Sequence, residues 1–160
     1  MTRNSRSTVS DPRAAALRLL TGRDRTEAEL RQKLLQLGFS AEQAEDARQY
    51  CLGYGYLDDR RYALERARML LRSGRGVGRR VLFDLRRRGI DEDTAQAALE
   101  QASTEFNPHQ LLQEQLERHF PGFSFGQAED RMKRRVISYF QRRGYRLEEI
   151  FAVLQERNEG

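Results

Sequence analysis

Leu34-Leu35-Gln36-Leu37-Gly38-Phe39, Leu85-Arg86-Arg87-Arg88-Gly89-Ile90 and Phe140-Gln141-Arg142-Arg143-Gly144-Tyr145 are the three stretches whose comparison decides the fold of this 160-residue chain. With their glycines in one column, Leu30, Val81 and Val136 stand eight positions before, and Leu34, Leu85 and Phe140 four before. Phe39, Ile90 and Tyr145 follow directly, then Ala44, Ala95 and Ile150, then Ala47, Ala98 and Val153. Apolar residues at this spacing occupy one stripe of a helix. A glycine after the last turn supplies the left-handed C-cap, and the next apolar residue staples it. Helix, glycine stop and second helix thus recur, which is the mark of a repeat architecture.

The spacing leaves room for a further helix before each pair, and residues 13–21, 59–72 and 108–120 have the apolar period for it. The expectation is an all-α chain of three tandem three-helix repeats in an elongated, curved array. Repeat boundaries fall at 12–56, 57–103 and 104–157, after a disordered tail of residues 1–11. Thr26 with Glu29 and Ser40 with Gln43 form capping boxes, and Asn107-Pro108 is a further helix start. Hydrophobic residues make up 38% of the chain and charged ones 33%, against about 45–50% apolar usage, glycine included, in ordinary globular domains. Thin helical layers suit that composition better than one thick core.

The net charge is +5, and only Lys33 and Lys133 are lysines. Arginine is favoured for recognising phosphate and carboxylate, though GC-rich coding also raises it. Residues 60–88 hold eleven arginines against Glu65 and Asp84, and residues 131–146 hold seven basic residues and no acid. Residues 91–117, by contrast, hold seven acids and no lysine or arginine. Such segregation points to a binding face more than to mutually balanced surfaces. The candidate contacts are Arg60, Arg61, Arg75, Arg79, Arg80, Arg86, Arg87, Arg135, Arg142 and Arg143.

Catalytic chemistry finds no support. Gly74-Arg75-Gly76-Val77-Gly78 lacks the order of a phosphate loop and reads as a flexible link between helices. His109 and His119 have no ligand cluster around them, so no metal or other cofactor is expected. Cys51 lies in an apolar stripe as a small core residue and excludes an internal disulfide. The polar start has no signal-peptide run, and no segment approaches the ~20 apolar residues of a membrane helix. A cytoplasmic, monomeric protein that is not an enzyme is expected. Tyr50, Tyr54, Tyr56 and Tyr62 gather at the first joint, for packing or for stacking on bases. Tyr56, Leu57 and Tyr62 are expected to be buried there, with Asp58 or Asp59 capping the next helix. Phe123 and Phe125 are expected to plug the last core, the alternative being an exposed partner contact.

Gly55-Tyr56-Leu57-Asp58-Asp59-Arg60-Arg61-Tyr62-Ala63 resembles the signature of the RecX family. Arg25, Glu29, Leu30 and Leu34 with Gly38-Phe39, residues 76–90, and Arg142-Arg143-Gly144-Tyr145 extend the resemblance over most of residues 12–157. Arg60 stands where many relatives would have an acid, and Tyr62 where Phe is usual. The resemblance implies tandem three-helix repeats and a modulator of the RecA recombinase in recombination, DNA repair and the SOS response. Such a modulator binds the RecA nucleoprotein filament and limits its growth, ATPase and strand exchange. Implied partners are the RecA filament and single-stranded DNA, with double-stranded DNA as a further candidate. A helix-turn-helix transcription regulator is the rival reading, since paired helices joined at glycine also fit that motif. Against it stand basic helices in separate repeats and the lack of an evident dimerisation helix.

Overall fold

The computed structural model describes residues 11–158, so of the expected N-terminal tail only Asp11 is included. Among the described residues there are helices and no strands: α1 (Pro12–Gly22), α2 (Glu27–Gln36), α3 (Ala41–Gly53), α4 (Asp59–Ser73), α5 (Arg79–Arg87), α6 (Glu92–Ser103), α7 (Pro108–His119), α8 (Asp130–Arg142) and α9 (Leu147–Glu156). The expected all-helical class holds. Two compact units divide the chain, one of residues up to Tyr62 with Arg88–Ile90, the other of Ala63–Arg87 and the residues from Asp91 onward.

In the first unit, local chemistry sets the helix ends. Asp11 accepts from the Arg13 amide, and Pro12 opens α1, where its missing N–H costs nothing. Both expected capping boxes are closed, Thr26 with Glu29 and Ser40 with Gln43. The small side chains of Ala15, Ala16, Ala44, Ala47 and Cys51, all buried, let α1 lie close on α3, with Leu30, Leu34 and Leu57 completing the core. Arg13 clamps the two helices by a two-pronged bond to Asp46, at 2.9 and 3.0 Å, which holds the Asp46 carboxyl below its usual range. Burial pushes the Cys51 thiol up, so it stays protonated as a core side chain. Thr26 is wholly buried, and its hydroxyl also donates to the Arg88 carbonyl at 2.6 Å.

Asp58 caps α4 by accepting from the Arg61 amide, while Asp59 accepts from the Glu27 amide. The tyrosine joint departs from expectation at one residue. Leu57 is buried and Tyr62 half-buried, but Tyr56 is 50% exposed, stacked on the 65% exposed Tyr54 at 5.9 Å. The helix-capping turn at Gly55 directs the Tyr56 ring outward, and a partly hydrated tyrosine satisfies its own hydroxyl in water.

In the second unit, Val81, Leu85, Val136, Phe140, Ile150 and Val153 are all at most 1% exposed, as the glycine-aligned pattern requires. Phe140 is the largest fully buried side chain and meets Phe120, Tyr139 and Tyr145 edge to face. Phe125 is half-buried and stands perpendicular to Phe151 of α9, with Lys133 above its ring. That placement agrees with the core-plug reading of Phe125.

The expected flexible link at Gly74–Gly78 is instead a docked junction. Gly74, Gly76 and Val77 are buried, and the Val77 amide donates to the Arg143 carbonyl at 2.8 Å. Glycines there admit close approach by neighbouring chain: a Cβ on Gly74 would strike the buried Gln115 side chain, and one on Gly144 the Val77 carbonyl. Clustered glycine served close packing here, which composition alone does not distinguish from flexibility.

Candidate functional site

Helix α5 carries four exposed arginines of the second unit. Its buried stripe is Val81 and Leu85. Each residue turns the helix by about 100°, so a residue two positions from both anchors lies nearly opposite the core. That residue is Phe83, 54% exposed. Its four neighbours on the helix surface, three and four positions away, are Arg79, Arg80, Arg86 and Arg87, all exposed. None of these four is in an ion pair among the described residues. Arg80 lies over the Phe83 ring at 5.2 Å. Arg86 and Arg87 also sit in the last turn, where the helix dipole favours cations.

Two acids of the second unit are occupied by other arginines. Asp84 holds Arg66 of α4 through two bonds of 2.9 and 3.0 Å. Glu105 is bound by Arg68, which lowers the Glu105 carboxyl from its usual range. Arg88 belongs to the first unit, 3.3 Å from the Tyr62 hydroxyl and 3.8 Å from Glu29. Three arginines of the basic block are thereby structural ties.

The remaining candidates divide. Arg60 and Arg61 are exposed on the first turn of α4, in the first unit, and Arg75 is exposed in the junction before α5. Arg135 and Arg142 are exposed on α8. Arg143 is different: its guanidinium lies 3.4 Å over the Tyr139 ring and donates to the Tyr139 carbonyl, so it closes its own helix. The Val77–Arg143 backbone bond nonetheless brings the carboxyl end of α8 to the start of α5, so two basic segments distant in sequence meet within one unit. Charge counting missed Phe83. Its signal was present in the helical period, as an aromatic off the apolar stripe.

Among the described residues no group of three or more His, Cys, Asp or Glu side chains could hold a metal, and no helix is long and apolar enough to cross a membrane. Tyr145 is buried with its hydroxyl lacking a protein partner among the described residues, and burial pushes its pKa up to about 12.

Fold and site define a helical protein whose most accessible chemistry is a cationic helix face around one aromatic ring. Residues 13–51 match the family model for the first three-helix domain of RecX, and residues 58–99 the model for its second. Regulatory protein RecX of Syntrophotalea carbinolica is 40% identical over 147 residues, covering 92% of this chain and 96% of that protein. RecX of Trichlorobacter lovleyi matches to the same extent, and that of Vibrio vulnificus is 29% identical over 88% of this chain and 89% of its own. The crystal structure of RecX from Lactobacillus salivarius shares the fold, with a TM-score of 0.72 at 18% identity over 94% of this chain and 97% of that one. The chain belongs to the RecX family of regulatory proteins.

Proposed function

We propose that this protein binds the RecA nucleoprotein filament and restrains its growth, ATPase and strand exchange, acting in the cytoplasm as a monomer without catalysis or cofactor. The observation that carries the reading is the exposed face of α5, where Arg79, Arg80, Arg86 and Arg87 lie free of ion pairs while Asp84 of the same helix is engaged with Arg66. Family membership supplies the regulatory role. Arg75, Arg135 and Arg142 extend the contact within the second unit, and Arg60 and Arg61 are further contacts of the first unit taken by itself. The α7–α9 segment serves as a third repeat, with boundaries near 12–56, 57–103 and 104–157.

A nucleoprotein filament offers phosphates and acidic protein surface together, and arginine suits both. Each phosphate neutralised releases counterions, so binding falls steeply with salt. The test is RecA ATPase on single-stranded DNA, titrated with the wild type and with Arg79→Glu/Arg86→Glu at two salt concentrations. The wild type should lower the ATPase. The double variant should keep its helicity, because charge reversal at exposed positions usually costs less than ~1 kcal/mol. It should inhibit less, with a smaller salt slope. An ATPase unmoved by the wild type overturns the function, and a folded double variant that matches the wild type removes α5 from the contact.

A further inference from the structure

Phe83 has no structural duty that accounts for its size. More than half of a large apolar ring is left in water, at a cost of burial free energy, on the helix face opposite Val81 and Leu85. Arg80 lies over one face of the ring at 5.2 Å and leaves the residue 54% exposed. Four arginines ring it at the spacings that place side chains beside it. The neighbouring Asp84 is turned to Arg66 and does not offset them.

An aromatic platform amid arginines matches the chemistry of an unpaired nucleic-acid strand. Bases offer π-faces to the ring while the guanidinium groups take the flanking phosphates. Arg79 and Arg86 are seven residues apart, about 10 Å along the axis, so they bracket the ring from both ends of the helix. An intact duplex keeps its bases stacked inside and gives an exposed ring nothing to stack on. We propose that Phe83 is a base-stacking residue, and that α5 binds single-stranded nucleic acid directly, with Phe83 on an unpaired base and Arg79, Arg80, Arg86 and Arg87 on the backbone. The proposal rests on reading α5 as the contact face and names the ligand of that face.

The chain contains no tryptophan, so Phe83→Trp introduces a single indole at the site. Titrating this variant, without RecA, with an oligothymidylate of about 20 nucleotides should quench the indole emission saturably, and a duplex of equal length should quench it far less. Phe83→Ala and Phe83→Leu should each weaken strand binding about tenfold at constant salt, since neither can stack. Their slope of log affinity against log salt should equal that of the wild type, whereas Arg79→Ala should reduce the slope by about 1. Absence of quenching together with wild-type affinity in Phe83→Ala overturns the proposal. So does a Phe83→Ala protein that binds the strand normally yet fails to act on RecA, because the ring would then meet a protein surface. Full quenching in a protein that leaves RecA ATPase unmoved supports the stacking site and overturns the regulatory function instead.

Discussion

Gly38 and Gly144 occupy equivalent places after α2 and α8, with φ of +95° and +102°. Alanine at either position meets the same backbone penalty, ~1–2 kcal/mol for a left-handed conformation. Their surroundings differ. A Cβ at Gly38 has nothing within 4 Å, while one at Gly144 would stand 1.9 Å from the Val77 carbonyl oxygen and 3.0 Å from its carbon. A backbone carbonyl cannot swing aside as a side chain would. The two segments must part, and the 2.8 Å bond from the buried Val77 amide to the Arg143 carbonyl parts with them. Losing a buried donor's partner adds ~1–3 kcal/mol. Gly38→Ala should therefore cost ~1–2 kcal/mol, and Gly144→Ala ~2–5 kcal/mol. With ~2–4 °C per kcal/mol at this chain length, the transitions should fall by roughly 4 °C and roughly 10 °C. Circular dichroism melts measure both shifts, and hydrogen exchange at the Val77 amide adds a local readout. Protection there should vanish in Gly144→Ala and persist in Gly38→Ala. Equal melting shifts with Val77 protected in both variants would refute the close-approach argument.

Thr26→Ala removes a helix cap and the buried bond to the Arg88 carbonyl together, so ~2–3 kcal/mol should be lost in urea titration, most of it recovered by Thr26→Ser. Tyr145→Phe gives up no protein hydrogen bond among the described residues, and its stability at pH 7 should match or exceed the wild type. The folded-state pKa of Tyr145 is raised from 10.0 to about 12, so the wild type holds its full stability below pH 10 and loses part of it as the pH rises towards 12. Tyr145→Phe should lose less over that window, as urea midpoints at several pH values will show. Glu45 runs the other way: bonds from Arg48 and then Gln49 lower its carboxyl to about 2, so its contribution is present above pH 4.5 and lost as the pH falls towards 2. Glu45→Gln should flatten the acid side of the melting curve.

Helix ends and buried stripes were legible because their causes lie within a few residues. The capping boxes at Thr26 and Ser40, the opening Asn107-Pro108, and the glycine stops are all short-range hydrogen-bond and steric requirements. Leu30, Val81 and Val136 are buried for the same reason, since a 3.6-residue period leaves a helix one way to face its core. The candidate site was legible as a surplus of arginine on α5, though not in its composition. Phe83 could have been placed from Val81 and Leu85, yet nothing local says that no neighbour covers it.

By itself, then, the sequence determined the all-helical class, several helix ends, the core stripes and the excess of positive charge. Tertiary structure alone decided which arginines of the 60–88 block are tied up: Arg66 goes to Asp84, Arg68 to Glu105, and Arg88 to Tyr62 and Glu29, while Arg79, Arg80, Arg86 and Arg87 remain open. It also docked the Gly74–Gly78 segment through Val77. Helix formation depends on neighbours three and four residues away. For Arg66, Arg68 and Arg88, and for Val77, the partner stands eighteen or more residues off, at a distance set only once the helices have packed.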